Sequence, residues 1–159
     1  MAGMISIPLY PTISVSEYEY ILNEAEVKAV FCGGLDLYAK LSETQKAVPT
    51  LKHIYTFDDL EGSLFWESIF YADGRLGLES IKAEIKGEDL VTIIYTSGTT
   101  GNPKGVMLNH ANIMHVVTAT SKLLVAKPKE KVLSFLPLCH IYERAVSFCY
   151  CYKGVSVFF

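Results

Sequence analysis

"DLVTIIYTSGTTGNPKG", residues 89 to 105, passes without a break from an apolar run into a segment crowded with hydroxyls and glycines. Residues 89–95 are rich in β-branched and aromatic side chains and lack a polar face, the pattern of a strand buried on both sides and therefore central in its sheet. The segment that leaves it differs from an ordinary turn in the order of its residues, although Gly, Ser, Thr, Asn and Pro are common turn formers. Glycines at 98, 101 and 105 permit unusual backbone angles and let main-chain N–H groups come close to a ligand. Between them Thr96, Ser97, Thr99 and Thr100 offer hydroxyls, and Lys104 offers a mobile positive charge suited to phosphate. Successive donors at a strand end with one cation make a phosphate cradle. The common nucleotide-hydrolase loop, G-x-x-x-x-G-K-[ST], is a different object: counted from Gly98, Pro103 stands at its second glycine and Gly105 at its magnesium-binding hydroxyl.

Outward from this loop, short β-branched runs alternate with amphipathic stretches, which predicts an α/β fold with a mostly parallel sheet and flanking helices. Residues 4–10 read as a strand ended by Pro8 and Pro11. Ser14 or Ser16 then caps a helix that buries Tyr18, Ile21, Leu22 and Ala25. Residues 27–32 form the next strand, broken by Gly33 and Gly34, and a helix over 35–47 leads to a strand at 52–57. These three strands and two helices suit right-handed crossovers in one sheet. Residues 58–87 read as a surface excursion with partial helix. Beyond the loop come a strand at 106–108, a helix capped by Asn109 with Ile113, Val116 and Val117 inward, and a strand over 131–138 that ends at Pro137. A helix over 141–152 is stopped by Gly154, and "VSVFF" at 155–159 reads as a strand.

With 159 residues the chain has the length of one compact domain. A net charge of −3 and scattered basic residues exclude a nucleic-acid binder. Mean hydropathy of +0.27 with only 19% charged residues is high for a soluble domain, so some apolar surface belongs against a partner or another part of the same protein. No apolar run reaches the ~18 to 20 residues that span a bilayer, and the first residues lack a signal-peptide pattern. A cytoplasmic location is the expectation, with peripheral membrane contact left open. Cys32, Cys139, Cys149 and Cys151 show no metal-binding spacing and read as reduced core thiols.

"IIYTSGTTGNPKGVML" (93–108) resembles the signature of the adenylate-forming enzymes, the superfamily of acyl-CoA synthetases, luciferases and peptide-synthetase adenylation domains. "SFLPLCHIYERAVSF" (134–148) and "SIPLYPTIS" (6–14) are similar to its long-chain acyl-CoA synthetase branch. The resemblance implies a fragment of the large N-terminal domain of a fatty-acid–CoA ligase. Such an enzyme uses ATP and Mg2+ to form an acyl-adenylate and pyrophosphate, then transfers the acyl group to coenzyme A. It further implies that Thr96, Ser97, Thr99, Thr100 and Lys104 contact the β- and γ-phosphates, with Gly98, Gly101 and Gly105 giving the backbone its freedom. His140 would line the acyl and adenylate site. No residue of the chain is assigned to a metal.

Other residues near these motifs have plainer readings. His110 is structural, bonding to the loop backbone. Glu143 and Arg144 read as a solvated ion pair or cap. Tyr142, Phe148, Tyr150 and Tyr152 read as core, with an acyl tunnel as the alternative. Family motifs for adenine, ribose and the C-terminal lysine do not occur by residue 159, so the chain by itself is expected to be inactive. Two further alternatives stand: another adenylate-forming enzyme acting on aryl or amino acids, or a non-catalytic nucleotide-binding or assembly module. Self-association of the fragment is open.

Overall fold

The computed structural model of the protein describes residues 3–71, 77–96 and 101–159. Where the length predicts one compact domain, the chain forms two compact units. One is Pro11–Leu76 with Ser97–Pro103; the other is Met1–Tyr10 with Gly77–Thr96 and Lys104–Phe159.

The Pro11–Leu76 unit is built on a βαβ arrangement. Helix α1 (Val15–Glu24) starts at Ser14, whose Oγ accepts the Glu17 N–H at 3.2 Å while the Ser14 N–H donates to Glu17 Oε2 at 2.9 Å. This reciprocal capping box satisfies two otherwise unpaired donors. The helical periodicity buries Tyr18, Ile21 and Leu22, while Ala25 becomes the C-terminal cap. Strand β1 (Ala29–Cys32) ends at the two glycines, and Gly34 at φ 78° opens α2 (Leu35–Gln45). Strand β2 (His53–Thr56) then lies parallel to β1, with Ala29 opposite His53. Leu22, Leu41, Val48, Leu51 and Ile54 are buried here. Removing each from water stabilises the fold by about 1.5–3 kcal/mol. The excursion beyond β2 adds a short parallel strand, β3 (Leu64–Phe65), and a 3-10 helix (Trp66–Tyr71).

In the other unit, helix α3 (Leu78–Glu84) precedes β4 (Leu90–Thr96), the strand quoted at the outset. Among the described residues it has one full partner strand and, on its other side, a single bridge, short of the central place expected. On one side runs β5 (Lys104–Asn109), antiparallel. On the other, Ser6 forms a parallel bridge: its N–H donates to the Val91 carbonyl at 3.1 Å, and its carbonyl accepts the Ile93 N–H at 3.1 Å. Residues 4–10 therefore make one bridge to β4 instead of a full strand beside β1 and β2. The strands fall into one sheet of three and two pairs among the described residues, and β4–β5 is the antiparallel exception to an otherwise parallel pattern.

Asn109 caps helix α4 (His110–Ser121) through a reciprocal pair with Asn112. Val117 is buried as the periodicity predicts, whereas Val116 is exposed because it stands one residue round the helix from that face. The strand expected over 131–138 stops early: β6 spans Lys131–Leu133 and a turn follows. Helix α5 (Ile141–Tyr152) has the predicted bounds, and Gly154 at φ 70° ends it. Strand β7 (Ser156–Phe158) returns parallel to β6 and completes a second βαβ arrangement. Helix α5 packs on α4, with the Cys149 thiol donating to the Val117 carbonyl at 3.7 Å.

Candidate functional site

The hairpin of β4 and β5 sets the mouth of the glycine-hydroxyl loop. Thr96 and Lys104 are directly paired across it, so their side chains leave the same face. Thr96 Oγ1 donates to the Lys104 carbonyl at 3.4 Å, and both residues are exposed. Two positions further back on the same face of β4, Ile94 and then Thr92 are buried and hold the strand in place. Gly101 has φ 137°, a conformation that side-chain-bearing residues rarely adopt. Ser97, Gly98, Thr99 and Thr100 lie outside the described residues.

Gly105 departs from its expected role. It sits inside β5, opposite Tyr95, and its φ is not in the left-handed region. A Cβ there would lie 2.8 Å from Ile93 Cγ2 and 3.2 Å from Tyr95 Cζ. The glycine therefore makes room for the Tyr95 ring rather than freeing the backbone. His110, expected to bond the loop, sends its main-chain N–H to the Asp89 carbonyl at 3.1 Å and begins α4.

His140 stands at the start of α5 as its N-cap: Nδ1 accepts the Tyr142 N–H at 3.2 Å. In a neutral imidazole this bond assigns the proton to Nε2. The side chain is exposed, on the turn between β6 and α5.

Glu143 and Arg144 are not a solvated pair. Glu143 is only 6% exposed, and its Oε1 accepts the hydroxyl of Ser134 at 2.5 Å. A helix carries its Cβ atoms round by roughly a quarter turn per residue, so Arg144 faces elsewhere. Its guanidinium donates to Thr92 Oγ1 and to Ser6 Oγ, each at 3.2 Å, and lies 6.0 Å from the Phe148 ring centroid. Burial draws its pKa below the ordinary value, but an arginine remains charged near neutrality. The two bonds fasten α5 to β4 and to the bridge at Ser6. Segments 6–14 and 134–148 thus meet through one side chain, which also holds β4 at Thr92, one residue before the segment 93–108 begins. Sequence reasoning missed this contact because it looked for a carboxylate partner; the available signal was the hydroxyl pair Ser6 and Thr92 beside apolar neighbours.

Of the aromatic residues of α5, Tyr142, Phe148 and Tyr152 are exposed rather than core, and Tyr150 is half-buried. Of the cysteines, Cys32 and Cys149 are buried, Cys139 is half-buried and Cys151 exposed. Burial pushes the Cys32 and Cys149 thiols upward, which keeps them protonated and unreactive near neutrality. Among the described residues there is no cluster of metal-binding side chains and no helix long and apolar enough to cross a membrane.

Comparison with known proteins agrees with this architecture. The pattern of the family described as "AMP-binding enzyme" matches residues 1–159. Long chain acyl-CoA synthetase 7, peroxisomal, of Arabidopsis thaliana is 34% identical over 169 residues, covering 99% of this chain and 24% of that protein. A red-emitting luciferase from Phrixothrix hirtus superposes with a TM-score of 0.79 at 21% identity, over 98% of this chain and 31% of its own. ATP-bound MatB from Rhodopseudomonas palustris gives 0.69 at 22% identity, over 98% and 30%. The fold is the one these two solved structures share over nearly the whole of this chain. The chain belongs to the AMP-binding enzyme family, with long-chain acyl-CoA synthetases among its relatives. It spans about a quarter of the length of these curated relatives.

Proposed function

We propose that the chain is the phosphate-gripping portion of the N-terminal domain of an AMP-forming long-chain fatty-acid–CoA ligase. The observation that carries this reading is the paired mouth of the hairpin, which sends the Thr96 hydroxyl and the Lys104 ammonium from one face at the entrance to a loop of glycines and hydroxyls. Such a loop suits the β- and γ-phosphates of ATP, and Gly101 has the backbone freedom to present its N–H. Thr96, Ser97, Thr99, Thr100 and Lys104 contact the phosphates, while Gly98 and Gly101 let the backbone follow them. Lys104 offsets negative charge as pyrophosphate leaves, the contribution expected of a preorganised cation in acyl or phosphoryl transfer. His140 lines the place where the fatty acid meets the α-phosphate. Its Nδ1 is committed to the helix cap, so Nε2 is the nitrogen that faces reactants.

Mg2+ accompanies ATP, and no residue of this chain is assigned to it. Coenzyme A is the acyl acceptor of the second half-reaction. A cytoplasmic location of the full-length ligase is part of this reading. In that protein, Lys104→Ala or Thr100→Ala should slow adenylate formation by roughly ten- to a hundredfold, as loss of a charge-assisted contact requires. Adenylate formation is followed by pyrophosphate release with a fatty acid and ATP; an unchanged rate would refute the loop assignment.

A second reading has a specific observation in its favour. Leu133 in β6, Phe158 in β7 and the adjoining Phe159 are exposed, which suits self-association of the chain in isolation. Light scattering tests it, and a monodisperse monomer would contradict it.

A further inference from the structure

The turn between β6 and α5 is not held by its own apolar side chains. Phe135 is 79% exposed, and Leu136 and Leu138 are each 42% exposed. It is held by polar ties at its two ends. At the first, the Ser134 N–H donates to the Phe158 carbonyl at 2.7 Å, and the Ser134 hydroxyl donates to Glu143 at 2.5 Å. At the second, the His140 N–H donates to the Pro137 carbonyl at 2.9 Å, and Nδ1 accepts from Tyr142. The Arg144 N–H closes the helix on the His140 carbonyl at 3.3 Å. Both ends therefore close on the first helical turn of α5.

A buried carboxylate is a costly way to fasten a turn, because it loses its hydration. Here the cost is offset by the serine hydroxyl and by the helix N-terminus, where a negative charge is favoured. The adjacent Arg144 ties the same helical turn to Thr92 in β4, the strand that enters the phosphate loop. One helical turn of α5 therefore carries both ties, Arg144 to β4 and Glu143 to Ser134 and the turn bearing His140.

We propose that Glu143 is a positioning residue which, through Ser134, fixes the turn carrying His140 at the acid-activation site. The inference rests on the reading of His140 as a residue of that site. Without Glu143 the Ser134 end of the turn is released, and the imidazole keeps its cap but loses a fixed direction.

Two measurements on the full-length protein test this. Amide hydrogen exchange over residues 134–142 should quicken in Glu143→Ala and in Ser134→Ala, and stay near wild type in Glu143→Gln, whose amide oxygen accepts the same hydroxyl. Pyrophosphate–ATP turnover with a fatty acid should fall about tenfold or more in Glu143→Ala with KM for ATP unchanged. In a His140→Ala background the same substitution should add nothing, a result that general loss of stability does not produce. Unaltered amide exchange in Glu143→Ala and Ser134→Ala overturns the proposal, as does an equal fall in both backgrounds or a Glu143→Gln no better than Glu143→Ala. Absence of wild-type turnover with every acid would instead sink the acid-activation reading, and amide exchange would then decide alone whether Glu143 holds the turn.

Discussion

Gly105 and Arg144 are each explained by a neighbour distant in sequence. An alanine at 105 would place its Cβ 2.8 Å from Ile93 Cγ2 and 3.2 Å from the Tyr95 ring. Overpacking of this kind costs about 1–3 kcal/mol. Gly105→Ala should therefore lower the urea midpoint clearly, and a neutral result would mean that the strand pair yields without cost. Arg144→Met keeps the apolar stem and removes the two hydroxyl contacts; it should cost roughly 1–3 kcal/mol in thermal unfolding. The proposal that hydroxyls and a cation between 96 and 104 grip a phosphate rests on residue chemistry alone. Which glycine supplies freedom and which supplies space was not legible in the sequence. Gly101 and Gly105 look alike in sequence, and only the cross-strand pairing with Tyr95 separates them. Glu143 and Arg144 were misread because adjacent charges on a helix suggest solvent, whereas here a buried hydroxyl waits for each.

At the scale of elements, the helices were the legible part. Helix α5 has the predicted bounds because its period is flanked by a capping His140 and by Gly154 in the left-handed region. A Cβ on Gly154 would meet nothing nearer than Pro128 Cβ at 3.7 Å. Gly154→Ala should therefore cost only the backbone strain, about 1 kcal/mol, measurable as a small fall in melting temperature. A loss several times larger would reveal a packing conflict instead. The strands were less legible, because a β-branched run does not name its partner. Residues 4–10 look like a full strand but bond to β4 only around Ser6. The 131–138 run stops at Leu133 because Ser134 turns to meet Glu143. The antiparallel pairing of β5 also escaped the reading, although the loop between the two strands is short enough to permit a hairpin.

For the whole molecule, the α/β character and family followed from the sequence, whereas its division into two compact units did not. The Pro11–Leu76 unit carries its own pH dependence. Burial pushes the Tyr18 phenol from 10.0 to about 12. The neutral form is thus favoured by folding, and its contribution is complete below the unfolded value near 10 and lost as pH rises through about 12. Alkaline unfolding of this unit followed by circular dichroism should steepen in that window, and Tyr18→Phe should remove the added slope. A slope that persists in Tyr18→Phe would assign it to another group. Under the proposed function, the 159-residue chain assayed alone should release pyrophosphate only at background, since it spans about a quarter of its relatives.

The most direct test is exchange of radiolabelled pyrophosphate into ATP by the full-length protein, offered saturated fatty acids of increasing length and compared with its Lys104→Ala variant. Acid-dependent exchange that falls roughly ten- to a hundredfold in the variant is the predicted result. No exchange with any acid, or equal exchange in both proteins, would contradict it.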